Sequence, residues 1–113
     1  MKQISIKKTN TFDSKKFFTI RNNPKNRKNF LNVSKIKIKD HNEWFNKNYK
    51  NKYYYTCYSG NSKIGYIRGD LLGDTITISI GLDGKNQNKN IGTQCLKLFE
   101  KKITHNCILI AKI

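Results

Sequence analysis

The stretch from Thr75 to Lys112 restricts the fold most. "TITISIGL" alternates Thr75, Thr77 and Ser79 against Ile76, Ile78 and Ile80, the two-residue period of a strand with one apolar face. A polar run, "DGKNQNKN", follows at once. Ile91, Cys95, Leu98, Phe99 and Ile103 then recur at helical spacing, which predicts an amphipathic helix from Ile91 to about Thr104. "CILIAK" closes the unit as another strand. Strand, loop, helix and strand in this order predict a right-handed crossover between adjacent parallel strands, Ile76–Leu82 and Cys107–Lys112.

The preceding half reads as hairpins and short helices. Lys2 to Lys8 is a strand by the alternation of Ile4 and Ile6, and Asp13 and Ser14 cap a helix carrying Phe17, Phe18 and Ile20. Pro24 interrupts that helix, and a short turn restarts there. Ile38, His41, Trp44 and Phe45 predict a helix over Ile38 to Tyr49. "YYYTCYS" and "KIGYIRG" flank the turn signal Gly60-Asn61 and read as a hairpin. The order is β-α-α-β-β-β-α-β, a mixed α+β sheet in one domain spanning residues 1–113.

Composition narrows the class. With no apolar run near the ~20 residues of a membrane span and no signal-peptide core at the N-terminus, the expectation is a cytoplasmic protein without a membrane partner. Cys57, Cys95 and Cys107 lack CxxC spacing, so no metal site or disulfide framework is indicated, and Cys95 and Cys107 read as buried thiols. The net charge of +16 rests on 20 Lys against three Arg, spread along the chain beside 15 Asn and 15 Ile. That mixture is what A/T-rich codons supply, and nucleic-acid readout favours Arg. Nucleic-acid binding is therefore expected to be non-specific and salt-sensitive.

The loop before the last helix carries the chemistry. A helix N-terminus presents backbone N–H groups without intrahelical partners and a partial positive charge, which together suit a phosphate. "GKNQNKNIGT" supplies Gly84, Asn86, Asn88, Asn90 and Gly92, residues that tolerate left-handed φ, with Lys85 and Lys89 adding charge. An ordinary strand-to-helix connector is the competing reading.

The segment "LDGKNQNKNIGTQCLKLFE" between two strands resembles the acetyl-CoA-binding segment of the GNAT N-acetyltransferases, whose loop reads Gln/Arg-x-x-Gly-x-Gly/Ala. Gln87, Asn90 and Gly92 occupy those positions, with Asn90 standing for the first glycine and able to imitate one at positive φ. The resemblance implies acetyl-CoA as co-substrate. It assigns the pantetheine arm to the amides of Ile80, Gly81 and Leu82, and the pyrophosphate to those of Asn88, Lys89, Asn90, Ile91, Gly92 and Thr93. Strands splayed after Leu82 would leave the cleft in which thioester and amine meet.

"FFTIRNNPKNRKNF", "IKIKDHNEWFNK" and "GNSKIGYIRGD" resemble segments of GNAT enzymes acting on nucleotide-linked amino sugars, of the pseudaminic-acid pathway type. By that likeness Arg21, Asn22 and Arg27 contact a UDP-linked amino sugar, and His41, Trp44 and Tyr66 line the acceptor pocket. A solvated helix end for the first three and plain packing for the others remain the alternatives. No general base is assigned, because the fourth strand carries Thr75, Thr77 and Ser79 and no Glu. Family members continue past the fifth strand with a helix, which usually bears a tyrosine, and further strands. This sequence stops at Ile113. The expectations are CoA binding in excess of turnover and a homodimer formed through an uncovered edge. Two functions are carried forward: acetyl transfer from acetyl-CoA to a primary amine, and a small basic module binding nucleic acid or another polyanion without catalysis.

Overall fold

The computed structural model describes residues 3–23, 36–86, 90–103 and 108–112. Its elements are β1 (Ile4–Lys8), α1 (Ser14–Arg21), α2 (Ile38–Asn48), β2 (Tyr54–Ser59), β3 (Ser62–Leu72), β4 (Thr75–Leu82), α3 (Ile91–Glu100) and β5 (Ile108–Lys112). This is the predicted β-α-α-β-β-β-α-β order. The turn at Pro24, Arg27, Gln87, Asn88, Lys89, His105 and Cys107 lie outside the described residues.

One five-stranded sheet runs in the order β1-β2-β3-β4-β5. The first three pairings are antiparallel, and β4 and β5 are parallel, with Thr75 opposite Ile108 and Ser79 opposite Lys112. The β2–β3 turn takes Gly60 at φ 61°, a left-handed value open to glycine without Cβ strain. Register in that hairpin shifts after Cys57: Cys57 faces Gly65 and Tyr58 faces Lys63, leaving Ile64 as the extra residue of a bulge. The Ile64 carbonyl accepts the Asp83 N–H at 2.9 Å, so the bulge buttresses the end of β4.

Strand alternation divides the core between the sheet faces. Cys57, Ile67, Ile76 and Ile78 pack with Cys95 and Phe99 of α3. Tyr54 and Tyr66 point the other way, against Phe17 and Ile20 of α1 and Phe45 of α2. The two free thiols of Cys57 and Cys95 meet in the first cluster, both fully buried. Their mutual hydrogen bond, with burial behind it, holds the Cys57 thiol well above its usual pKa.

The start of α1 departs from expectation. Asn10, rather than Asp13 or Ser14, does the capping: its side chain accepts the Phe12 N–H at 2.9 Å, ahead of a 3-10 turn over Thr11–Asp13. Asp13 makes no side-chain cap to α1, because its carboxylate is turned inward. There it meets Lys63 Nζ at 2.6 Å and accepts from Thr56 Oγ1 and the Asn10 N–H, each at 2.9 Å.

Candidate active site

Two regions converge at the C-terminal end of β4. The first is the turn into α3. Gly65 pairs with Leu82 and Tyr66 with Gly81 across β3 and β4, and a Cβ on Gly65 would run into the Gly81 carbonyl oxygen. A Cβ on Gly81 would lie 2.7 Å from the Tyr66 ring and 2.8 Å from Ile20 Cγ2. Ile80, Gly81 and Leu82 continue β4 in pairing with β3, opposite Ile67, Tyr66 and Gly65.

Asp83 and a 3-10 turn over Gly84–Asn86 follow, and α3 begins after Asn90. Asn90 sits at φ −65°, ψ 15°, an ordinary conformation, and not the positive φ expected of a glycine substitute. Among the described residues no non-glycine adopts positive φ. The Asn90 side chain makes no cap, and the first intrahelical bond is Gln94 N–H to the Asn90 carbonyl at 3.0 Å. Among the described residues, then, no N-cap side chain accepts from the first turn of α3. Gly92 has room beside it: a Cβ there would come no nearer than 3.9 Å, to Leu82 Cδ1.

The second region lies on the α1–α2 face. Arg21, at the last turn of α1, stacks its guanidinium 4.0 Å from the centroid of Trp44. Its Nη1 lies 3.2 Å from His41 Nδ1. His41 Nε2 lies 3.0 Å from the Ser14 carbonyl oxygen and 3.1 Å from Ser14 Oγ. A carbonyl only accepts and a guanidinium only donates. Nε2 therefore carries the proton, and Nδ1 accepts from Arg21. His41 is neutral, fully buried and fixed in this tautomer. His41, which the likeness sets in the acceptor pocket, lies behind Arg21.

Trp44 is half-buried, whereas Tyr66 is 1% exposed and stacks on Phe17 with ring centroids 4.4 Å apart. Burial raises the Tyr66 phenol above its usual pKa, with the Arg68 and Arg21 charges pulling it back. Asn22 spends both ends of its amide on the returning chain: Oδ1 accepts the Ile36 N–H at 2.7 Å, and Nδ2 donates to the Ile36 carbonyl at 3.0 Å.

Arg68, which the sequence reading passed over, joins this group. It lies 5.1 Å from the Trp44 centroid and donates from Nη1 to Asp70 at 2.9 Å and Tyr54 Oη at 3.2 Å. Tyr54 Oη in turn donates to Asp70 at 2.8 Å. Burial works against the Arg68 charge, but the Tyr54 and Asp70 partners outweigh it and its pKa is raised. The available signal was the alternation Tyr66-Arg68-Asp70 on one strand face, opposite Gly81, Ser79 and Thr77 of β4. Among the described residues no three metal-ligating side chains cluster, and no helix is long and apolar enough to cross a membrane.

No protein-family model and no curated protein sequence matches the chain. Solved structures do. A domain from Methanocaldococcus jannaschii superposes with a TM-score of 0.76 at 21% identity, over 89% of this chain and 70% of that one. A GNAT-family acetyltransferase from Bacillus anthracis gives 0.71 at 18% identity, over 89% and 63%. The PaiA N-acetyltransferase from Thermoplasma acidophilum, solved in complex with coenzyme A, gives 0.55 at 14% identity, over 88% and 74%. The chain has the GNAT acetyltransferase fold.

Proposed function

We propose that the chain binds acetyl-CoA at the β4–α3 turn and transfers its acetyl group to a primary amine held on the α1–α2 face. The observation that carries the reading is that β4 leads through a 3-10 turn into α3, whose N-cap residue Asn90 makes no side-chain cap. Backbone groups there suit two parts of one ligand. We assign the extended run Ile80–Leu82 to the pantetheine arm and, by the family likeness, the amides of 88–93 to a pyrophosphate. Likeness to a fold solved with coenzyme A supports the same ligand. In the reaction the amine nitrogen bonds to the thioester carbonyl carbon, the C–S bond breaks, and the proton lost by nitrogen leaves with the thiolate as free CoA. The acceptor we favour is a nucleotide-linked amino sugar, on the strength of Arg21 stacked on Trp44 on this face, with Arg27 a further candidate.

Calorimetric titration of acetyl-CoA into the protein tests the reading, with a short DNA duplex as the counter-titrant. Saturable one-to-one binding of acetyl-CoA is expected. Gly92→Val should abolish it in a protein that remains folded, because the native neighbours leave room for the side chain and only a ligand approaching the backbone would meet it. Unchanged affinity in folded Gly92→Val would sink the loop assignment. Absence of binding by the wild-type chain, with tight sequence-selective duplex binding, would favour the polyanion module instead.

A further inference from the structure

Trp44 is the chain's single tryptophan, and two guanidiniums lie against it, at 4.0 Å for Arg21 and 5.1 Å for Arg68. Both are drawn out of bulk water; the Arg68 side chain is 18% exposed. Two like charges held together need neutralising, and among the described residues the one carboxylate bonded to either is Asp70, on Arg68. The Arg21 partner, His41 Nδ1, is a neutral acceptor and brings no negative charge. Burial holds Arg21 below its usual pKa, and the neighbouring Arg68 charge adds to that effect. Arg68 Nε is buried and has no hydrogen-bond partner. A guanidinium offers five N–H donors in a planar fork. The donors that serve His41, Tyr54 and Asp70 are Nη1 of each arginine, and Arg68 also bonds the Tyr66 hydroxyl, so part of each fork is left over beside a half-buried aromatic platform.

We propose that Arg21 and Arg68, both lying against Trp44, form an oxyanion clamp that selects amine acceptors carrying a carboxylate or phosphate group. The proposal rests on the acetyl-transfer reading for the word acceptor, but the clamp itself stands on the geometry of the α1–α2 face. Asp70 and Tyr54 orient the Arg68 fork, and His41 orients Arg21 from behind. A guanidinium fork suits a planar or tetrahedral oxyanion, whose charge would complete the neutralisation that Asp70 begins.

Trp44 fluorescence reports on the clamp directly. Inorganic phosphate and succinate are titrated separately at constant physiological ionic strength, with CoA saturating so that phosphate does not report through the α3 turn. Acetyl-CoA binding to each variant is measured calorimetrically in parallel. A saturable change with one anion is expected, and which anion produces it decides between phosphate and carboxylate. Arg68→Gln and Arg21→Gln should each weaken it tenfold or more, as expected for loss of a charged donor. Arg68→Lys, which keeps the charge without the fork, should weaken it less. Lys97→Gln, on the exposed side of α3, should leave it unchanged. If Arg68→Gln fails to fold, Arg21→Gln decides alone. No saturable change in the wild type, or equal weakening by Lys97→Gln, overturns the clamp in favour of a diffuse positive field. Anion binding without acetyl-CoA binding would keep the clamp and overturn the transfer reading.

Discussion

Gly81→Ala tests the packing that joins the two halves of the site. The position is extended β-strand, so alanine brings no backbone strain and its cost is steric. Its Cβ would stand 2.7 Å from Tyr66 Cε2 and Cζ and 2.8 Å from Ile20 Cγ2. Carbon contacts are favourable only near ~3.5–4.0 Å, so ring and helix would have to retreat by about 1 Å. Neither is free to do so: Tyr66 is stacked on Phe17, and Ile20 is 1% exposed beneath α1. Overpacking of this kind costs about 1–3 kcal/mol, and a pinned ring on one side with a pinned helix on the other argues for the upper half of that range. In urea this lowers the unfolding midpoint by about 1 M, taking a slope of roughly 1–3 kcal/mol per molar. Unfolding followed by far-UV circular dichroism and Trp44 fluorescence measures it. Tyr66→Phe should give no relief, since the obstructing atoms belong to the ring, whereas Tyr66→Leu should couple favourably to Gly81→Ala by about 1 kcal/mol in a double-mutant cycle. A Gly81→Ala protein within about 0.5 kcal/mol of wild type, with no coupling to Tyr66→Leu, would refute the argument.

Two further outcomes follow from the polar network. Burial, opposed by the hydrogen bond to the Ser14 backbone and reinforced by the Arg21 charge, holds the His41 pKa below its ordinary value of 6.5. The unfolded chain then takes up a proton that the folded chain refuses, so stability is level above pH 6.5 and falls as pH is lowered through that value. Unfolding free energy at pH 5.5 should be smaller than at pH 7.5, and His41→Gln should flatten the difference. Asn10→Ala should cost about 1 kcal/mol by urea unfolding, because it removes the acceptor for the Phe12 N–H.

The β4–α3–β5 unit was legible because its two halves obey contrasting periods, and a switch from two to 3.6 residues leaves little choice of architecture. Local signals served less well where a side chain had a better partner far away in sequence. Asp13 reads as a cap, yet Lys63 and Thr56 draw it inward, and Asn10 fills the vacancy with Asp13 closing the box behind it. The spacing Asn10-x-x-Asp13 was itself the missed sign. Arg68 escaped notice as one cation among many. It acquires meaning when Trp44 and Arg21 arrive from other elements, and no linear period encodes that meeting. Nor does the pattern foretell the Ile64 bulge, since one extra residue in a strand of apolar and aromatic side chains disturbs no obvious alternation.

The Asn22 amide has a consequence for how this frame can vary. By gripping both backbone groups of Ile36, it ties together two points 14 residues apart in sequence and fixes where α1 ends and where the approach to α2 begins. The two helices thus take their spacing from a clasp rather than from the length of chain between them. Closing a loop twice as long costs only about 0.6 kcal/mol more, so the clasp can hold its two ends at one spacing over a range of chain lengths between them. The end of α1 that carries Arg21 is therefore set by this pair of hydrogen bonds, and Asn22→Ala would release it from the approach to α2.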